Sequence, residues 1–141
     1  MKLTPGSKFR KAQVQSTPLQ VVGTINAYTA LMAKHVGFSA LYISGAGVAN
    51  ASYGLPDLGM TTLDNVLMDV SRITEAVDLP ILVDIDTGWG NAFMIARTIR
   101  AMQRAGAAAV HIEDQVFEKK CGHLPDKSLV SKELMVGRLK A

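Results

Sequence analysis

The stretch ILVDIDTGWG, residues 81–90, is aliphatic for three residues and then breaks into acids and small residues. Ile81, Leu82 and Val83 make a compact run of the kind found in strands buried on both faces. Asp84 and Asp86 follow two residues apart, which on an extended backbone sends both carboxylates the same way. Three other runs repeat this design: LQVVGTI at 19–25, ALYIS at 40–44 and AAVHIED at 108–114. Each leads into polar or small residues, Asn26 after the first, Ser44-Gly45 after the second and Glu113-Asp114-Gln115 after the fourth.

Helical patterns separate the runs. Asn26 is placed to cap a helix over 27–36, with Lys34 and His35 in its last turn and Gly37 ending it. Thr61 or Thr62 starts a helix reaching Val77, in which Leu63, Val66, Leu67, Val70, Ile73 and Val77 form one apolar stripe. Asn91 caps the next, which carries Phe93, Ile95, Ala96, Ile99 and Met102 before Gly106. Ser131 opens a last helix through Leu134 and Leu139, and Ser7 is expected to cap a short one ahead of the first strand. Strand and helix alternating four times predict an α/β domain with a parallel sheet and helical crossovers. Two architectures have this alternation, an open doubly wound sheet and half of a (β/α)8 barrel. In both, chemistry belongs at the carboxyl ends of the strands, where this chain collects its acids. A nucleotide-binding open sheet calls for a glycine fingerprint after its first strand, where this chain has Thr24-Ile25-Asn26. Gly45-Ala46-Gly47 follows the second run, but Asn50 stands at the third glycine position.

Composition narrows the class further. At 141 residues the chain is long enough for one domain, and no linker, repeat or low-complexity tract divides it. With 48% apolar residues and 6% aromatic, the core must be aliphatic, and the seven methionines suit its irregular gaps. The net charge of +3 forms no stripe: Lys2, Lys8, Arg10 and Lys11 gather at the start and the rest scatter. Without an aromatic ladder or groove-reading motif, nucleic acid is not the expected partner. MKLTPGSKFRKAQVQS has no apolar leader segment, and no stretch has the length of a membrane span. A lone cysteine makes no internal disulfide, which fits a reducing compartment, and the expected location is cytoplasmic.

Two carboxylates on one face of a strand end are costly unless a cation neutralises them. Glu113 on the neighbouring strand end and Asp57 in the loop GLPDLGM can bring two more. Oxygen-only ligands favour Mg2+ or Mn2+ over zinc, and the competing reading pairs these acids with lysine or with helix N-termini. His111, in the fourth run and facing with Glu113, is read as a structural histidine, as is His35. Trp89 and Phe93 are read as packing residues. Tyr42 and Ser44 share one face of the second strand, where their hydroxyls can bind a carboxylate or satisfy backbone groups. The only cysteine, Cys121, lies in FEKKCGHLPDK at 117–127, between Lys119-Lys120 and His123. Such cationic neighbours suit a reactive thiol, and the plainer alternative is a free thiol in a basic loop.

Five motifs together carry a resemblance: YISGAGVA at 42–49, GLPDLGMTTLDNV at 54–66, VDIDTGWG at 83–90, HIEDQ at 111–115 and KKCGH at 119–123. In kind and order they resemble the isocitrate lyase/phosphoenolpyruvate mutase superfamily, on its short, methylisocitrate-cleaving branch. KKCGH is the specific mark of the lyases. The resemblance implies the N-terminal half, four βα units, of a (β/α)8 TIM-type barrel. It also implies Mg2+, with Mn2+ as the other candidate, and cleavage of 2-methylisocitrate to pyruvate and succinate in propionate breakdown by the methylcitrate cycle. Isocitrate and oxaloacetate-type lyases are the alternatives within the superfamily, and an inactive half-barrel that only self-associates is the alternative outside it. By motif, Asp84 and Asp86 would hold the metal directly or through water, with Asp57 and Glu113 completing its shell. Ser44, Gly45 and Ala46, with Tyr42 close by, would contact the pyruvate-like carboxylate. Cys121 would be the catalytic acid, flanked by Lys119 and His123, on a lid shaped by Gly122 and Pro125 with Lys127 as a solvated flank. Ala46 and Trp89 replace a common glycine and phenylalanine of the family, and neither change removes a functional group. The substrate class is a small hydroxy-tricarboxylate, and the family implies a homo-oligomer, a tetramer in its intact members. Residues 1–141 are thus expected to form a single partial barrel domain, cut after the fourth strand and within the following helix. Expressed alone, this half is expected to self-associate and not to catalyse.

Overall fold

The computed structural model describes residues 3–141, so Lys2 of the basic N-terminal group lies outside it. Four strands, β1 (Val21–Gly23), β2 (Ala40–Ile43), β3 (Ile81–Asp84) and β4 (Ala109–His111), form one sheet in the order β1-β2-β3-β4. All neighbouring pairs are parallel. This order decides between the two architectures. A doubly wound sheet reverses direction at a switch point, whereas strands added one beside the last, always on the same side, build a barrel wall.

The helices are α1 (Pro5–Gln15), α2 (Ala27–His35), the single turn α3 (Gly45–Gly47), α4 (Leu63–Ala76), α5 (Ala92–Arg104) and α6 (Lys132–Lys140). A π-helical turn, Val48–Ser52, continues α3. Asn26, Thr62, Asn91 and Ser131 cap α2, α4, α5 and α6 through their side chains, as their positions predict. The cap of α1 is Thr4, not Ser7. Pro5 takes the first helical position, where its missing N–H costs nothing, and Ser7 is the residue whose N–H donates to Thr4.

Alternation along the central strands sorts the two faces. Leu41, Ile43, Ile81 and Val83 are fully buried against Ala30 and Ala33 of α2, Val66, Val70 and Ile73 of α4, and Met102 of α5. Tyr42 and Leu82, on the opposite face, are only half-buried, as are most residues of β1 and β4. The expectation of burial on both faces therefore holds only toward the helices, since among the described residues no second layer covers the face that carries Tyr42 and Leu82. Met102 sits in the core and Met94 packs against it, while Met32, Met60 and Met68 are exposed, so only some of the methionines fill core gaps. On α5 the expected stripe is also shifted. Phe93 is 87% exposed and Ile99 lies at the margin, while Thr98 is fully buried and donates to the Gly88 carbonyl. Trp89 does pack on the core and donates its indole N–H to the Thr61 carbonyl.

Candidate functional site

Asp84 ends β3 and Asp86 follows in a turn whose backbone is left-handed at Asp86 (φ 47°). Strand alternation does not carry on to Asp86; the turn is what brings the two carboxylates together. They converge over Gly45, where an added Cβ would lie 3.0 Å from Asp86 Oδ1 and 3.1 Å from Asp84 Oδ2. The Gly45 N–H donates to Asp84 Oδ2 at 3.1 Å and the Asp86 N–H to Asp84 Oδ1 at 3.0 Å.

Each acid has a cationic partner from later in the chain. His111, opposite Asp84 in the β3–β4 register, places Nε2 3.1 Å from Asp84 Oδ1. Its other nitrogen lies 3.4 Å from the Tyr42 hydroxyl, and the two rings stack with centroids 5.6 Å apart. Lys119 leaves the 117–127 loop and buries its ammonium among three carboxylates: Asp86 at 2.6 Å, Asp57 at 3.0 Å and Glu113 at 3.7 Å. The sequence places Lys119 beside Cys121 as part of a basic loop; in the fold its charge is turned into the acids instead.

The titration behaviour follows from this crowding. For Lys119, burial disfavours the charge, but the bonds and fields of Asp86 and Asp57 outweigh it and raise its pKa, so the ammonium is held. Burial, with Asp84 and Asp57 nearby, lifts Asp86 above the usual carboxylate range despite Lys119. Burial likewise lifts Glu113, against the pull of Lys119. Burial also acts to raise Asp84, but bonds from His111 and from the Asp86 and Gly45 amides prevail and lower it. The bond to Asp84 raises His111, against burial. Burial raises Tyr42 first, then the fields of Asp84 and Glu113. Four carboxylates face one ammonium and one imidazole, so the cluster stays negative even with His111 protonated.

That residual charge suits a divalent cation. Asp84, His111 and Glu113 can each present a donor atom with all three within 4.8 Å of one another. Two oxygens and an imidazole accommodate Mg2+ or Mn2+, the imidazole favouring the latter more than an all-oxygen set would. Asp57 and Asp86, expected among the metal ligands, are here the partners of Lys119. His111, read from sequence as structural, joins the cluster. Its two-residue spacing from Glu113 at the end of a strand was the available signal.

Ser44 caps α3 by accepting from the Gly47 N–H, and the Ala46 carbonyl accepts from Asn50. Ser44, Gly45 and Ala46 thus form a rigid turn directly above the two aspartates. Cys121 is half-buried on the loop, its carbonyl accepting from the Leu124 N–H, and His123 is exposed. Lys127 is not a mere solvated flank, because its ammonium donates to the carbonyls of Gly122 and Leu124 and closes the loop tip. Sequence reasoning also passed over Gln115 and Arg138. Gln115 is buried beside Glu113, and Arg138 of α6 donates to the Glu113 and Gln115 carbonyls.

Residues 9–141 match the family profile of phosphoenolpyruvate phosphomutase. The chain belongs to that family. Among curated relatives, it is 66% identical over 141 residues to the 2-methylisocitrate lyase of Vibrio cholerae serotype O1, covering all of this chain and 46% of that one. Among solved structures, it superposes with a TM-score of 0.90 at 33% identity on oxaloacetate acetylhydrolase bound to 3,3-difluorooxalacetate, covering 97% of this chain and 47% of that one. It also superposes with a TM-score of 0.78 at 28% identity on phosphonopyruvate hydrolase bound to oxalate and Mg2+, covering 97% and 46%. The chain thus spans about half the length of the relatives it matches. Within the family its fold is that of the first four βα units.

Proposed function

We propose that this chain carries the metal-and-thiol half of the active site of a carbon–carbon lyase that cleaves 2-methylisocitrate to pyruvate and succinate. One observation carries the reading: Lys119 anchors the loop bearing the sole cysteine into the acid cluster at the strand ends. The substrate assignment follows the relative that is 66% identical.

Asp84, Glu113 and deprotonated His111 would hold Mg2+, with Asp57 and Asp86 as further carboxylates around it. When bound, the ion supplies Lewis-acid stabilisation of oxygen charge at the hydroxy-acid end of the substrate. The chain's own groups do the rest. The Gly45 turn carries the Ala46 N–H and the Ser44 hydroxyl to the face where a pyruvate-like carboxylate would lie. Lys119 keeps Asp86 and Asp57 close together and holds the loop's first limb on the site. Loss of the substrate's hydroxyl proton turns that C–O into the pyruvate carbonyl as the adjacent C–C bond breaks. The bond's electron pair passes to the succinate carbon next to its carboxylate. The Cys121 thiol gives its proton to that carbon, and the resulting thiolate regains one proton, the equivalent of the one released from the hydroxyl, before the next turnover.

A chimera joining residues 1–141 to the remaining part of the Vibrio cholerae relative tests this. It should release pyruvate from 2-methylisocitrate in preference to isocitrate or oxaloacetate, and should depend on Mg2+. Preference for isocitrate, or no turnover in a folded chimera, would sink the assignment. A second reading rests on the exposed apolar row Tyr28, Leu31, Met32 and Val36 on and just after α2. A surface of this kind suits association, so the protein is a homo-oligomer in this reading, and the isolated half self-associates without catalysing. Size-exclusion chromatography alongside a lyase assay decides it, a monomer counting against it.

A further inference from the structure

The loop between β4 and α6 is held at its base by main-chain bonds. The Val116 N–H donates to Ser128 O, the Val130 N–H to Asp114 O, and Gln115 and Leu129 form an antiparallel bridge. Inside that base, one side chain makes three further bonds. The Gln115 amide nitrogen donates to Glu113 Oε2 at 2.8 Å and to the Lys120 carbonyl at 2.9 Å, and its oxygen accepts the Lys120 N–H at 3.1 Å. Gln115 is 4% exposed, and Arg138 fixes its backbone by donating to its carbonyl at 2.8 Å. An amide that bonds both the N–H and the C=O of one residue fixes the two peptide units that meet at that residue. Here that residue is Lys120, and the second of the two units leads directly into Cys121.

We propose that Gln115 is a positioning residue that clamps the Lys120 backbone to Glu113 and so sets where the Cys121 thiol stands relative to the acid cluster. The proposal deepens the lyase reading, in which the thiol must be held at the site. Three features favour a clamp over simple burial of a polar group. Both polar ends of the side chain are used, both partners flank functional groups, and among the described residues only Lys119 otherwise ties the loop's first limb to the acids. A methionine at 115 would fill the same space without making any of the three bonds.

The test needs no turnover, so its failure is separate from failure of the lyase reading. In the unaltered 141-residue chain, amide exchange at Lys120 should be slowed at least about tenfold relative to the exposed amide of Gly122, since only Gln115 accepts from it. In Gln115→Met, Cys121, the only thiol, should react with iodoacetamide about tenfold faster, one bond's worth in the loop's opening equilibrium. The urea midpoint monitored by Trp89 fluorescence should shift far less than the thiol rate. A Lys120 amide that exchanges as fast as that of Gly122 overturns the clamp, whether or not the variant folds. A folded Gln115→Met with an unchanged alkylation rate overturns it as well.

Discussion

Lys119→Met is the sharpest perturbation of the site. The side chain is 2% exposed and its ammonium contacts two carboxylates at hydrogen-bond distance and a third at 3.7 Å. Two charge-assisted bonds at about 1.5–3 kcal/mol each bracket the loss from above. Removing one partner of a buried ion pair costs about 3–5 kcal/mol, because the other charge is left uncompensated. We expect a fall of about 4 kcal/mol in unfolding free energy near neutral pH, measured by urea denaturation followed through Trp89. The pH dependence gives a second, independent check. Asp86 and Glu113 already sit above their ordinary range with Lys119 present, and without it they rise further. A carboxylate whose folded pKa exceeds its unfolded value binds more protons in the native state, so stability is regained as pH falls through that folded pKa. The penalty should therefore shrink as pH is lowered from neutral toward the ordinary carboxylate range. Adding Asp86→Asn to Lys119→Met should recover part of the loss, since one of the stranded charges is gone. A penalty below about 1 kcal/mol, or one that does not change with pH, would refute the claim that Lys119 is the counter-ion of this cluster.

Three further changes separate the roles of the remaining residues. Cys121→Ser, in the chimera described above, should leave folding intact and cut pyruvate release at least about a hundredfold, the scale of a lost general acid; most of the activity surviving would remove the thiol from the mechanism. His111→Phe keeps a ring to stack on Tyr42 but removes a donor and the partner of Asp84, so Mn2+ affinity by calorimetry should fall at least about tenfold, and an unchanged affinity would exclude His111 as a ligand. Gly88→Ala puts a methyl 2.6 Å from Ile95 Cγ1 at a backbone φ of +89°, and should lower stability by about 2–3 kcal/mol; an unshifted urea midpoint would contradict that geometry.

Local signals made the elements legible and long-range ones did not. Four caps and all four strands follow from nearest-neighbour patterns, because a capping side chain or an aliphatic run acts within a few residues. The sequence pattern places Phe93 on the buried stripe and passes over Thr98, because an amphipathic stripe gives only the approximate direction of a helix's buried face. The carbonyl of Gly88 then provides the partner that lets a threonine go inside. The acids were legible as a set, since strand ends in a parallel sheet converge whatever the details. Their pairing was not. Lys119 meets Asp57 across 62 positions of sequence, and nothing in KKCGH tells which lysine turns inward. Which lysine reaches these carboxylates depends on the path of one loop. The ALYIS and AAVHIED runs place Tyr42 and His111 on the same face, but only the register of two intervening strand pairs stacks their rings.

The neighbour-to-neighbour strand order also has a consequence for how the protein is made. Val21 pairs with Ala40, Leu41 with Ile81 and Leu82 with Ala109, so every strand docks on one already synthesised. The wall can therefore grow in the direction of translation, each unit closing on the last with modest loop entropy. The acid cluster matures on a different schedule. Asp57, Asp84 and Asp86 leave the ribosome before His111 and Lys119, and until those arrive the nascent sheet carries a knot of unbalanced negative charge at its upper rim. The emergence of residue 119 thus delivers the ammonium that Asp57, Asp86 and Glu113 share and eases that repulsion. A ribosome-stalled series ending on either side of it should change abruptly in protease resistance.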